Sequence, residues 1–177
     1  MQVVKRVLIF VGLLGTASVL HAQATPAASR LGDLQIGAGY SNANSDYSPT
    51  TRYQGFAIYG DFDFIPHFGV EAEFHLVSEH TSNQYYEKTY EVGGRYFRTY
   101  GPFIPYAKLM VGRGVFNYQF SQANLAYNMF AAGAGLDYKL RSYLNLRGDF
   151  EYQRWNGFPP RGLAPTVVTV GVAYHFK

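Results

Sequence analysis

From residue 34 onward apolar and polar side chains alternate one by one, and the pattern restarts eight times before the chain ends. A period of two sends successive side chains to opposite faces of a strand, so each run has one apolar and one polar face. Leu34, Ile36, Ala38 and Tyr40 open the series, and Phe56, Ile58, Phe62 and Phe64 form the second face. After Pro66-His67 come Phe68, Val70, Ala72, Phe74 and Leu76. Tyr90, Val92 and Tyr96 follow, then Ala107, Leu109, Val111 and Val115. Runs from Phe130 to Tyr138, Leu144 to Tyr152 and Val168 to Phe176 complete the set. No helical periodicity competes with it.

The connections alternate as well. Polar stretches at 41–52, 78–88, 117–127 and 156–165 separate strands one and two, three and four, five and six, and seven and eight. Short turns at Pro66-His67, Tyr100-Gly101-Pro102 and Arg141-Ser142 join the rest. An even number of antiparallel strands with alternately long and short connections is the pattern of a transmembrane β-barrel, with short periplasmic turns and longer outer loops. A soluble barrel or sandwich would alternate equally well. Two features favour the membrane. The apolar faces end in Tyr and Phe, as an interfacial girdle requires, and the polar faces set Gly beside acids and bases, which suits a narrow polar interior. Charged residues are 15% of the chain, against roughly 25% in an average soluble protein, and aromatics reach 18%. The expected fold class is all-β, an eight-stranded antiparallel transmembrane β-barrel with both termini periplasmic.

The first residues read as an address. Lys5 and Arg6 precede an apolar run from Val7 to Leu20, and Ala22-Gln23-Ala24 offers small residues at a cleavage position. That run is shorter than the ~20 residues of a spanning helix, so residues 1–24 are expected to be an export signal peptide and 25–177 the barrel domain. Loss of Lys5 and Arg6 brings the bases to 13 against 12 acids. No basic cluster is present, so nucleic acid is excluded as a partner. The absence of Cys excludes disulfides, thiolate metal sites and thiol nucleophiles.

The chain resembles the OmpA-like small outer-membrane β-barrel family over essentially its whole mature length. The resemblance rests on Gly69-Val70-Glu71, on Glu151-Tyr152-Gln153 followed by Trp155, and on the ending Thr169-Val170-Gly171-Val172-Ala173-Tyr174-His175-Phe176. It implies the barrel domain alone, and an assembly signal carried by Gly171, Tyr174 and Phe176, with Lys177 one residue beyond. The phase of the alternation points Asp61, Asp63, Glu71, Glu73, Glu91, Arg95, Lys108, Asp137, Lys139, Arg147, Asp149 and Glu151 inward. The resemblance implies a gate-like salt bridge of Glu71 and Glu151 with Arg95, and Arg161 as a switching partner. Lys108 and Arg147 join them as interior candidates.

The bland reading of these charges is a static network that lets a polar interior fold. A gated path for small solutes is the alternative. Acyl-transfer chemistry would need a Ser, a His and an acid together, and His75, Ser78, Glu79 and His80 are the nearest approach to that. Their spacing does not fit a His-x-Ser pattern, so no catalytic, cofactor or metal site is assigned. The outer loops, with Ser41 to Pro49, Ser82 to Tyr86 and Asn117 to Phe120, carry the Tyr, Ser and Asn of many binding surfaces. Trp155 with Phe158-Pro159-Pro160 is expected at the lipid interface. The expected function is a non-enzymatic outer-membrane barrel with a structural or surface role. A porin-like pore and a loop-borne adhesin remain alternatives. Expected partners are outer-membrane lipids, lipopolysaccharide and the outer-membrane assembly machinery, and the expected state is a monomer.

Overall fold

The computed structural model describes residues 32–47, 52–79, 85–117, 124–159 and 161–176. They form β1 (Asp33–Asn44), β2 (Arg52–Ile65), β3 (Phe68–Ser78), β4 (Tyr86–Phe97), β5 (Phe103–Asn117), β6 (Asn124–Arg141), β7 (Leu144–Asn156) and β8 (Thr166–Phe176). Each strand pairs antiparallel with its sequence neighbours, and β8 pairs with β1, which closes the barrel. Closure is what allows a sheet to sit in hydrocarbon, where an unpaired backbone amide or carbonyl finds no water. The expected leader (1–24), His80, Pro160 and Lys177 lie outside the described residues, as do 48–51, 81–84 and 118–123 of the loops.

All eight alternating runs become strands in the expected phase. The apolar set faces outward: Leu109 is 71% exposed, Val170 65% and Phe130 58%. Among the described residues, outward bases stand only at the two ends. Arg52, Lys88, Arg113 and Arg154 lie toward the end that carries the longer connections, the loop end. Arg98 and Arg141 lie at the end with the short turns, the turn end, and each donates to a Tyr hydroxyl, of Tyr96 and Tyr143 respectively. Between them runs an uncharged belt with Tyr and Phe at its margins, as the lipid interfaces favour.

The strands outrun the apolar alternation. Ser41 to Asn44, assigned to a loop from sequence, extend β1, and Asn44 still pairs with Arg52. Similarly β6 begins at Asn124. Beyond the belt both faces of a strand can be wet, so backbone pairing continues after hydrophobic patterning stops. The connections shrink accordingly to 45–51, 79–85, 118–123 and 157–165.

An eight-stranded barrel has a lumen just wide enough for side chains. Its glycines are matched to its largest inward groups. A Cβ on Gly114 would meet the Trp155 ring at 2.5 Å, and one on Gly135 would meet the Tyr106 hydroxyl at 2.3 Å. That is why Gly recurs on the polar faces.

The belt makes a direct prediction. Leu109→Arg, at the middle of β5, should cost about 2–4 kcal/mol of stability in a bilayer, whereas Gln54→Arg near the loop end should cost about 0–1 kcal/mol. Reversible denaturant unfolding in lipid vesicles reads the difference.

Candidate functional site in the barrel interior

The lumen is filled in three tiers from the turn end to the loop end. In the first, two guanidiniums hold three acids. Arg147 donates to Asp61 (2.5 Å), Asp137 (2.7 Å) and Glu71 (3.3 Å). Arg95 contacts Asp61 at 2.6 Å, Asp137 at 3.1 Å and Glu71 at 3.7 Å. Tyr106 lies between them, with the Arg95 and Arg147 guanidinium carbons 4.5 and 4.9 Å from its ring centre. Arg147 also packs 4.1 Å from the Tyr59 ring. Gln35 completes the tier, donating to Asp61 and Asp137 and accepting from Asn145 at 2.8 Å.

In the second tier Lys108 is the hub. Its ammonium contacts Glu71 at 3.0 Å, Asp149 and Glu151 at 3.1 Å each, and also Glu73. Glu73 in turn faces His75 Nε2 at 3.1 Å, and Gln153 Nε2 donates to both Glu151 (2.7 Å) and Glu91 (3.2 Å). Register explains the assembly. Asp61 pairs with Glu71 across β2–β3, Glu73 with Glu91 across β3–β4, and Arg95 with Lys108 across β4–β5. Each of these pairs sets like charges side by side, acids in the first two and the bases Arg95 and Lys108 in the third. The two bases stay apart because Arg95 serves the turn-end acids and Lys108 those nearer the loops.

The third tier is mainly apolar, with Glu79 and Glu87 buried at the same end and the Ser45 hydroxyl donating to Glu87 at 2.5 Å. Met110, Phe116, Met129, Trp155, Phe158 and Leu163 form a buried cluster. Tyr53, Val77 and Val167 form a second, and Tyr85 packs on both. Ring centres of Phe116 and Phe158 are 5.3 Å apart, and Tyr47 lies 5.0 Å from Phe116. The β7–β8 connection supplies part of this plug by folding back. Trp155 and Leu163 exchange backbone hydrogen bonds at 2.8 and 3.2 Å. Gly157 and Gly162, at φ 83° and 86°, occupy the left-handed region that the reversal needs.

Five of the six interior candidates meet in the lumen: Glu71, Arg95, Lys108, Arg147 and Glu151. Arg161 does not; it is exposed in the β7–β8 connection, where its carbonyl accepts from Arg154 at 3.0 Å. The pairing also differs from the one the resemblance implied. Glu71 and Glu151 share Lys108 of β5, not Arg95 of β4. Glu71 pairs with Gly93, so Arg95 lies two residues nearer the turn end, and β4 has no base at the level of Glu71. Lys139 is exposed at the turn-end mouth beside a small cavity of about 80 Å³, which Asp33, Asp63 and His175 also line.

Trp155 is a further correction. It is not at the lipid interface but fully buried in the lumen, its indole N–H donating to Gln153 at 2.9 Å. It shares the parity of Glu151 and Gln153, and parity decides. Tyr85, expected on a loop surface, is packed into the plug, its ring centre 5.7 Å from Tyr47 and 6.0 Å from Phe116. His75 and Ser78 stand on opposite faces of β3, because they are an odd number of residues apart. His75 instead approaches Ser41 Oγ, 3.4 Å from Nδ1. At the far end of β8, Tyr174 and Phe176 face outward and pack edge to face at 4.9 Å, while Gly171 faces inward against Gly39.

A family profile described as "Outer membrane protein beta-barrel domain" matches residues 11–176, and the chain belongs to that family. Its place is accordingly the outer membrane. No curated protein sequence matches it. Several solved structures share the fold. Ail of Yersinia pestis, determined with the heparin analogue sucrose octasulfate, is 21% identical, with a TM-score of 0.59 over 83% of this chain and 100% of that one. Neisserial surface protein A is 13% identical, with a TM-score of 0.65 over 83% and 98% of the two chains. OprG of Pseudomonas aeruginosa is 16% identical, with a TM-score of 0.59 over 84% and 98%.

Lys108→Ala strips the common partner from four buried carboxylates. It should destabilise the barrel by about 3–5 kcal/mol, the cost of breaking a buried ion pair from one side. Arg161→Ala should be nearly silent. Urea unfolding in micelles, followed by tryptophan fluorescence, measures both.

Proposed function

We propose that the protein is a sealed outer-membrane barrel, non-enzymatic and monomeric, which serves the membrane as a structural element and presents a cationic collar to the anionic lipid around it. The observation that carries this reading is the apolar plug stacked on two tiers of mutually paired charges. An ion entering from the loop end would meet the packed rings of Phe116, Trp155 and Phe158, with the carboxylates of Glu79 and Glu87 buried at the same end. An ion entering from the turn end would meet Arg95 and Arg147, each already committed to several carboxylates. The charges therefore read as a filling, with Glu71, Lys108 and Glu151 holding β3, β5 and β7 in register, and not as a gate.

The leader, the even strand number and the alternating connections support loops outside and termini in the periplasm. With that orientation Arg52, Lys88, Arg113 and Arg154 stand on the outward face at the level of the outer leaflet. Cations there suit the phosphates of lipopolysaccharide, and guanidiniums suit them best because their donors match phosphate oxygens in pairs. Tyr174 and Phe176 face outward at the turn end of β8, where the assembly machinery would read them before the barrel closes. A second reading, a surface that binds polyanions, draws on the same collar with Arg161 beside it. The Ail structure was determined with a sulfated sugar, which makes that reading worth testing in this chain.

The chain purified from outer membranes and placed in a planar bilayer should give no discrete conductance. Regular channel events that shift on Glu151→Gln would transfer the proposal to a small-solute pore. Replacing Arg52, Lys88, Arg113 and Arg154 together with Gln should leave folding intact and abolish the rise in unfolding temperature on adding lipopolysaccharide to the micelles. An undiminished rise would remove the collar from the proposal.

A further inference from the structure

Positive charge is scarce in the lumen. Among the described residues nine Asp and Glu are buried, against two Arg, one Lys and one His. Two of the nine, Glu79 and Glu87, lie at the loop end, and the largest share of the shortfall is in the second tier. Next to the two guanidiniums stand Asp61, Glu71 and Asp137, which nearly balance them. Around Lys108 and His75 stand Glu73, Glu91, Asp149 and Glu151. A buried carboxylate without a counter-charge is costly in a closed lumen, so this tier calls for a further cation or for protons.

Three of its groups converge. Glu73, His75 and Glu151, all buried, each bring a ligand atom to within 4.8 Å of the other two. Glu91 stands beside them, linked through Gln153: it is 5% exposed, its Oε1 shares the Gln153 amide with Glu151, and its Oε2 has no hydrogen-bond partner. Lys108 leaves room for an ion, because it takes Oε2 of Glu73 and Oε2 of Glu151. The Oε1 atoms lie on the side of His75 and Gln153. His75 is also oriented as a metal-binding imidazole usually is. In the tautomer with the proton on Nδ1, that N–H points to Ser41 Oγ at 3.4 Å and the Nε2 lone pair to the cluster, while Ser41 can donate to Thr169 Oγ1 at 2.8 Å.

We infer that the second tier is a binding site for one first-row divalent metal ion, zinc foremost, with His75, Glu73 and Glu151 as ligands and Glu91 as the fourth. An imidazole with carboxylates is a donor set such ions accept. Tetrahedral ligands at about 2.0–2.1 Å from zinc lie about 3.4 Å apart, so the donors draw in by about an ångström on binding. With neutral His75, a dication and Lys108 bring four carboxylates to within one charge of neutrality. The plug above and the Arg95–Arg147 tier below close the site. The ion therefore enters as the barrel folds and leaves only slowly.

The chain, purified from outer membranes, is unfolded in urea and refolded into micelles with zinc or with EDTA, then desalted, and its metal is counted by mass spectrometry. About one zinc per chain is expected after refolding with zinc. That zinc should survive EDTA added to the folded barrel, and the zinc-loaded form should unfold at a higher temperature. Glu91→Gln keeps the shape of the side chain and relieves acid repulsion, so it should fold; it should hold zinc at least about tenfold more weakly. His75→Asn should do the same. Less than about a tenth of an equivalent in the native sequence, with one unfolding temperature in zinc and EDTA, overturns the site and assigns the balance to protons. Zinc that EDTA strips at once from the folded barrel overturns it too, since that ion sits on the surface. Zinc stabilisation undiminished in both variants excludes these ligands.

Discussion

Eight strands closed on themselves in hydrocarbon leave a lumen with no room for bulk water, and everything polar inside must find its partner there. The rest of the molecule follows from that constraint. Lys108 sits within reach of four carboxylates because no solvent shell is available to any of them. The guanidiniums of Arg95 and Arg147 lie on aromatic rings as well as on acids, so that their faces and edges are both occupied. Glycine lines the wall where the largest side chains cross it. The exterior, by contrast, needs only to be apolar. Its side chains gain little from lipid that another apolar residue would not, so the lumen is where this sequence specifies one barrel over another.

Much of this was legible in the alternation. Parity alone gave the eight strands and placed Asp61, Glu71, Glu73, Glu91, Arg95, Lys108, Asp137, Arg147, Asp149 and Glu151 inside, where they are. Trp155 shows what happens when residue preference is weighed above parity. It was assigned to the lipid interface because tryptophan favours interfaces, although Glu151, four residues earlier on the same strand, already fixed its direction. The partners of each charge were not legible. They depend on the register between strands, which loop lengths and the irregularities at Asp63/Ile65 and Lys139/Arg141 set, and alternation along one strand says nothing about its neighbour. The plug was hidden for a related reason. Tyr85, in the β3–β4 connection, and Phe158 and Leu163, in the β7–β8 connection, look like loop residues until their packing into the mouth is known.

The lumen thus divides into chemically distinct parts. Near the turns, Arg and acids nearly cancel; in the middle, acids exceed bases; near the loops, rings dominate, with Glu79 and Glu87 buried at the same end. Such a gradient is not what an open solute path requires, which is a continuous polar wall. The fold shared with Ail, neisserial surface protein A and OprG at 13–21% identity fixes the container and leaves its contents to each sequence. What distinguishes this chain therefore lies in its filling and in the bases that ring its outer face.

The seam where the barrel closes has a property of its own. Every charged group of the paired tiers comes from β2 through β7, whereas the inward faces of β1 and β8 between their rims carry Gln35, Gly37, Gly39, Ser41 and Ala43 against Val167, Thr169, Gly171 and Ala173. Side chains of this kind are small and neutral. The two strands at the ends of the chain thus meet through neutral side chains, and the ionisable pair that spans the seam, Asp33 with His175 at 2.6 Å, stands at its turn-end rim. The charge network is thereby confined to strands that already neighbour one another in sequence, and the joint between first and last strand is left to side chains that any partner strand could meet.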